Sequence, residues 1–160
     1  MSKIYIQLGS NEGQRQEQLE TACQLISQNI GPVLKRSSIY ETEAWGPVEQ
    51  QHFLNQVIEI DSQMDAKALL TALLAIEEEM GRERRVHWGP RTIDLDLLFY
   101  GEQILNEEPF LILPHPRISQ RRFVLVPLEE IAGEFIHPIY KRSIKQLLSL
   151  CEDEGEVWKI

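Results

Sequence analysis

Several features that mark metal, redox or membrane proteins are missing from this sequence. It has only two cysteines, Cys23 and Cys151, and neither lies in a C-x-x-C pair, which excludes zinc-finger and thioredoxin-type sites. We predict that both are buried thiols. The four histidines show no H-x-x-x-H spacing, which argues against zinc. No run of about 18 apolar residues occurs, and the first residues alternate in polarity, so we expect a soluble, cytoplasmic protein that does not bind membranes.

The common phosphate-binding motifs are also absent. Neither G-x-x-x-x-G-K-[ST] nor a G-x-G-x-x-G after a predicted strand is present, which excludes P-loop and protein-kinase folds. Sixteen Lys and Arg against 25 Asp and Glu give a net charge of −9, which disfavours nucleic acid as a partner. The length of 160 residues and the hydrophobic content of 42% fit one domain over 1–160 that can act as an independent enzyme.

Hydrophobic periodicity predicts an α+β fold. The order strand, helix, strand, strand, helix, strand is typical of the ferredoxin-like split βαβ arrangement, an antiparallel-rich sheet with two helices on one face. We interpret the last third of the chain as an appended helical and extended region. The predicted elements are a strand from Ile4, a helix over 14–30, strands over 33–40 and 54–61, a helix capped by Asp65, a strand over 93–99, an extended segment over 110–113 and helical segments over 119–132 and 143–151.

The segment Asp94-Leu95-Asp96 carries two acids on a predicted strand. Residues two apart on a strand project from the same face, with Cα atoms about 6.6 Å apart, so both carboxylates could hold the same metal centre. Adjacent aspartates repel each other in a sheet, and a hard divalent cation such as Mg²⁺ removes that repulsion. The alternative is the solvated face of an edge strand.

Two arginine-rich segments accompany this acidic pair. Residues 82–91 contain Arg82, Arg84, Arg85 and Arg91 with a single acid, and residues 115–123 contain three further arginines, including Arg121, with no acid. Arginine forks match phosphate oxygens, so arginines beside an Mg²⁺-binding carboxylate pair predict a polyphosphate site. Surface ion pairs with the many glutamates are the alternative.

Other side chains could complete such a site. His115, between two prolines, could donate to a phosphate or adenine group, or serve only within its loop. Asn55, on the same side of its strand as Phe53, could bond the edge of a planar heterocycle or face solvent. Trp45, Phe53, Trp88 and Phe123 lie in or beside long loops and the arginine segments, where a flat ring could stack on them; core packing is the alternative for both phenylalanines.

The segment from Trp88 to Asp96, WGPRTIDLD, resembles the signature of the 6-hydroxymethyl-7,8-dihydropterin pyrophosphokinase family of folate biosynthesis. The similarity spans nearly the whole chain. Further matching segments, in order, are Leu8-Gly9-Ser10-Asn11, Tyr40-Glu41-Thr42, Phe53-Leu54-Asn55, Leu113-Pro114-His115-Pro116-Arg117, and Arg121 with Phe123.

The resemblance implies a monomer that transfers the β,γ-pyrophosphoryl group of ATP to the hydroxymethyl oxygen of the reduced pterin and releases AMP. It implies the following roles: Asp94 and Asp96 bind two Mg²⁺ ions; Arg82, Arg91, His115 and Arg121 hold the phosphates; Phe53 and Phe123 sandwich the pterin; and Thr42 and Asn55 bond its polar edge. The loops 41–52, with Trp45, and 82–92, with Arg84 and Trp88, would close over the substrates. Catalysis would depend on both aspartates together with Arg82 and Arg91.

A second class of function remains open from the residues alone. A non-catalytic ferredoxin-like module that senses a small anionic metabolite would need only the basic segments, and Asp94 and Asp96 would then lie on an ordinary surface.

Overall fold

An antiparallel sheet forms the centre of the fold. The computed structural model describes residues 3–43, 50–81 and 92–160. Its strands are β1 (Ile4–Ser10), β2 (Val33–Arg36), β3 (Tyr40–Thr42), β4 (Phe53–Ile60), β5 (Asp94–Tyr100), β6 (Leu105–Glu107), β7 (Leu111–Leu113) and β8 (Val157–Lys159). The main sheet has the order β5-β1-β4-β3-β8, with β2 also pairing with β4, whereas β6 and β7 form a separate pair. All described strand pairings are antiparallel.

Two helices cover one face of this sheet, as the periodicity predicts. They are α1 (Arg15–Asn29) and α2 (Ala66–Glu79), and their apolar stripes pack with the inward residues of β1, β4 and β5 in one hydrophobic core. The Asp65 side chain caps α2 by accepting a hydrogen bond from the Ala68 N–H at 2.8 Å, which confirms the predicted start of the helix.

The C-terminal third covers the opposite face. Its helices, α3 (Arg122–Ala132) and α4 (Ile144–Leu150), form a second core with residues of the sheet that include Tyr5, Val57 and Phe99. The sequence predicts helices on only one face of the sheet and an appended last third of the chain. That prediction is incomplete, because local periodicity does not show where a distant helix docks. None of the described helices is long and apolar enough to cross a membrane.

The predicted strand over 33–40 is divided in two. β2 ends at Arg36 and β3 starts at Tyr40, because the Ser37 hydroxyl accepts a hydrogen bond from the Val57 N–H at 3.0 Å and so interrupts the regular ladder. The cysteine prediction is correct for Cys23, which is buried, and wrong for Cys151, which is partly exposed at the end of α4.

β5 contains one residue more than the part of β1 that it pairs with. Ile6 lies opposite Leu97 and Tyr5 lies opposite Phe99, so Leu98 forms a bulge. Leu98 and Phe99 consequently both pack into the core beneath α3 and α4. On the N-terminal side of the bulge, β5 alternates regularly, and this part of the strand carries the acidic pair.

Candidate active site

The acidic pair lies on the α3 side of the sheet. Asp94 and Asp96 are partly exposed, whereas Leu95 and Leu97 are buried in the core on the other side, which confirms the predicted alternation. Across the ladder, Asp94 lies opposite Gly9 and Asp96 lies opposite Gln7. The two carboxylates therefore project from the same face at the N-terminal end of an edge strand.

A buried carboxylate supports this strand from the opposite side. Glu77 on α2 is 5% exposed, and its Oε2 accepts a hydrogen bond from the Leu95 N–H at 2.7 Å. β5 is the outermost strand of the sheet, so this contact satisfies an N–H that could otherwise lack a partner. It fixes the backbone between the two aspartates. Sequence reasoning missed Glu77, although an acid within the apolar stripe of a helix is itself a signal of a specific partner.

A positive environment faces the acidic pair. Arg121 immediately precedes the first residue of α3; burial lowers its pKa, and the nearby Asp96 carboxylate acts in the opposite direction. Burial, together with Arg121 and Arg117, lowers the pKa of His115 to about 4, so this imidazole is neutral near pH 7. Its Nδ1 accepts a hydrogen bond from the Arg117 N–H at 3.3 Å, which leaves Nε2 to carry the proton. His115 therefore presents an N–H donor rather than an additional charge.

A row of buried amide and hydroxyl groups crosses the same face. The Asn55 Nδ2 donates to the Thr42 Oγ1 at 2.9 Å, and the Asn55 Oδ1 accepts from the Gln7 Nε2 at 3.2 Å. All three side chains are less than a tenth exposed. The alternative that Asn55 merely faces solvent is therefore wrong. Sequence reasoning assigned no role to Gln7.

One aromatic ring, that of Phe53, lies beside this polar row, and a second, that of Phe123, lies beside Arg121. Phe53 at the start of β4 and Phe123 in the first turn of α3 are both partly exposed, and the Arg121 guanidinium carbon lies 5.6 Å from the centroid of the Phe123 ring. A Cβ atom at Gly9 would lie 3.2 Å from the Asn55 Oδ1 and 3.8 Å from the Phe53 ring. Gly9 is itself buried, and its missing Cβ leaves room beside an aromatic ring and a carboxamide, two kinds of group that suit a flat polar ligand.

The structure brings together the predicted residues that it describes on this one face of the sheet. The remaining predicted site residues, Trp45, Arg82, Arg84, Trp88 and Arg91, lie outside the described ranges.

Comparison with known proteins identifies the family. Residues 5–133 match the family model described as "7,8-dihydro-6-hydroxymethylpterin-pyrophosphokinase (HPPK)". The chain belongs to this family. It is 47% identical over 131 residues to the 2-amino-4-hydroxy-6-hydroxymethyldihydropteridine pyrophosphokinase of Bacillus subtilis, covering 81% of this chain and 78% of the relative. The protein of the same name from Pseudomonas aeruginosa is 38% identical over 156 residues, covering 97% of this chain and 95% of the relative.

Longer proteins also contain a similar segment. "Folic acid synthesis protein fol1" of Pneumocystis carinii is 42% identical over 141 residues, which are 88% of this chain but only 19% of that protein. A solved structure described as "Crystal Structure Analysis of the HPPK-DHPS in complex with substrates" superposes with a TM-score of 0.74 over 92% of this chain and 43% of that one. At 16% identity, this second likeness supports the fold alone.

Family membership confirms the resemblance seen in the sequence. The chain is an ATP-dependent pyrophosphokinase that transfers a pyrophosphoryl group to hydroxymethyldihydropterin in folate synthesis, and its family generally requires Mg²⁺. The alternative of a non-catalytic anion sensor finds no support in these comparisons.

Proposed function

We propose that ATP with two Mg²⁺ ions and the reduced pterin bind next to each other on the α3 side of the sheet. The observation that carries this proposal is the pair of carboxylates, Asp94 and Asp96, on one face of β5 with the Arg121 guanidinium close enough to Asp96 to affect its own pKa. Carboxylate oxygens are the ligands that Mg²⁺ prefers. Opposite charges side by side suit a metal-bound polyphosphate better than they suit an uncharged ligand.

The composition of the site supports a metal that arrives with the nucleotide. Among the described residues, no group of three or more His, Cys, Asp or Glu side chains could hold a metal ion. Mg²⁺ commonly binds through one or two carboxylates and takes its other ligands from substrate phosphates and water. Asp94 and Asp96 fit that pattern, and the bound ions would neutralise charge on the phosphate oxygens.

The protein groups would then orient and stabilise the transferring phosphates. Arg121 lies beside the acidic pair, and the neutral His115 offers its Nε2–H as a donor that adds no repulsion to neighbouring arginines. Pyrophosphoryl transfer needs an in-line approach of the hydroxyl and stabilisation of charge rather than a covalent nucleophile. We assign catalytic roles to Arg82 and Arg91, and nucleotide contacts to Arg84 and Trp88, from the family resemblance.

The pterin would occupy the aromatic and amide part of the same face. Phe53 and Phe123 supply rings for stacking, and the Asn55 carboxamide is held by its neighbours so that its remaining N–H and lone pair can meet the edge of a heterocycle. The Thr42 hydroxyl extends this polar edge. We assign Trp45 to the pterin side from the family resemblance.

We further propose that residues 1–160 form one pyrophosphokinase domain with a ferredoxin-like core. The order of β5, β1, β4 and the β2–β3 segment, with α1 and α2 on one face, supports two split βαβ units. A monomeric state and a cytoplasmic location stay predictions.

Product analysis and charge removal test this assignment. We expect the purified chain, incubated with MgATP and 6-hydroxymethyl-7,8-dihydropterin, to release AMP rather than ADP. Asp94→Asn and Asp96→Asn should each keep the fold but reduce turnover by about 100-fold or more, because they remove charge from the proposed Mg²⁺ site.

Glu102→Gln provides the matched control, since Glu102 is an exposed acid in the turn that follows β5. This variant should retain wild-type turnover. Release of ADP, or unchanged turnover in either aspartate variant, would overturn the assignment.

A further inference from the structure

Gln7 joins the two halves of the site. It lies on β1 opposite Asp96 of β5, and its Nε2 donates to the Asn55 Oδ1 on β4 at 3.2 Å. Since β1 runs between β5 and β4, Gln7 lies between the acidic pair and the Asn55 side chain that is proposed to bind the pterin. Its side chain is only 4% exposed.

Fold stability does not explain this amide well. The Gln7 Oε1 is buried and has no hydrogen-bond partner among the described residues. A buried acceptor without a partner weakens the folded state, and an apolar side chain of similar size would avoid that cost. This buried acceptor without a protein partner therefore calls for an explanation other than folding stability.

The hydrogen bond from Gln7 to Asn55 offers such an explanation. A carboxamide can rotate to exchange its oxygen and nitrogen, and each orientation presents a different pattern of donor and acceptor to a ligand. The Thr42 hydroxyl can donate or accept and so does not select an orientation by itself, whereas the Gln7 Nε2–H can only donate and therefore requires the Asn55 Oδ1 on its side. Without Gln7, the Oδ1 of Asn55 would lose its donor and the carboxamide could turn.

We propose that Gln7 is a positioning residue for pterin recognition, acting through Asn55. It fixes the orientation in which the Asn55 carboxamide meets the edge of the heterocycle, and it has no direct part in nucleotide binding. This inference rests on the proposed pterin-binding role of Asn55.

Gln7→Leu removes the amide and keeps the approximate volume. We expect the KM for the pterin to rise about tenfold, while the KM for ATP stays within about twofold of the wild-type value, because the hydrogen bond that is lost reaches only the pterin side. Gln7→Met, which is closer in length, repeats the measurement should the leucine variant fail to fold.

Gln56→Leu is the matched control. Gln56 is also a buried amide of the sheet, but its Nε2 donates to the Ser37 carbonyl at 2.9 Å, and it lies one residue from Asn55 and so on the opposite face of β4. We expect this variant to keep the wild-type KM for both substrates. Equal effects of both leucine variants, or a rise in both KM values for Gln7→Leu, would show a general structural role and overturn the proposal.

A double-mutant cycle tests whether Gln7 acts through Asn55. Asn55→Ala should raise the KM for the pterin, and adding Gln7→Leu to it should raise that KM no further, since the group to be positioned is already absent. Multiplying effects would overturn the proposal by showing that Gln7 acts independently of Asn55.

The outcome also separates this inference from the proposed function. If Asn55→Ala impairs pterin use and Gln7→Leu does not, only the role of Gln7 is refuted. If the wild-type protein releases no AMP from MgATP and the pterin, the proposed function itself fails. If AMP is released but Asn55→Ala leaves the pterin KM unchanged, the proposed pterin contact of Asn55 fails, and the role of Gln7 fails with it.

Discussion

Acidification should destabilise the protein through His115. In the folded state, burial and the neighbouring Arg121 and Arg117 lower the pKa of this imidazole from 6.5 to about 4. In the unfolded chain, the imidazole binds a proton near its ordinary pKa of about 6.5. Between these two values the unfolded state binds a proton that the folded state does not, so a fall in pH favours unfolding.

The size of this effect follows from the two pKa values of His115. Its contribution to stability is fully present above about pH 6.5, declines as the pH falls, and levels off below about pH 4. At about 1.4 kcal/mol for each pKa unit, the full loss would be about 3 kcal/mol. Because His115 is partly exposed and salt screens the arginines, we expect a measured loss of roughly 1–2 kcal/mol at about pH 5.

Denaturant unfolding of the wild type and of His115→Gln measures this loss. The free energy of unfolding of the wild type should fall by roughly 1–2 kcal/mol more than that of the variant between about pH 7 and about pH 5. Burial also lowers the pKa of His137, but His137 is present in both proteins. The difference between the wild type and the variant therefore reports on His115. An identical pH dependence of the two proteins, or an NMR titration of the His115 ring near its ordinary pKa, would refute the reasoning.

Three further substitutions test separate parts of the site. Phe53→Ala should raise the KM for the pterin about tenfold through loss of a stacking surface, and an unchanged KM would contradict the stacking role. Arg121→Ala should lower kcat/KM for ATP by about 10- to 100-fold because a cation beside the acidic pair is lost; a normal value would remove Arg121 from the phosphate site. Glu77→Ala should reduce the free energy of unfolding by about 1–3 kcal/mol, because the Leu95 N–H loses its partner, and a stability equal to the wild type would refute this anchor.

Local sequence patterns predicted much of the fold. The cap at Asp65 and the alternation of acids with buried residues around Leu95 are local features, and the structure confirms both. The segment 33–40 is predicted as one continuous strand, whereas the Ser37 hydroxyl accepts a hydrogen bond from the Val57 N–H and interrupts the ladder. A contact between a serine and a strand 20 residues away leaves no trace in local periodicity.

The less predictable part of the site depends on contacts between distant segments. A polar residue such as Gln7 or Asn55 on an otherwise alternating strand is typical of a solvated sheet face. The structure shows instead that α3 and α4 pack on that side of the sheet, and that these two amides are buried and bonded to each other. The docking of α3 depends on tertiary packing, and the burial of Gln7 could not be inferred before that packing was known.

Because of the bulge at Leu98, the number of residues in β5 can change there without changing the face of the sheet on which Asp94 and Asp96 lie. On a regular strand, the gain or loss of one residue turns all later side chains to the other face of the sheet. Here the extra residue lies on the C-terminal side of Asp96, and both Leu98 and Phe99 already point into the same core. A one-residue deletion at Leu98 would therefore return the strand to regular pairing without turning Asp94 or Asp96 away from the α3 side. The orientation of the two aspartates therefore does not depend on the number of residues at the bulge.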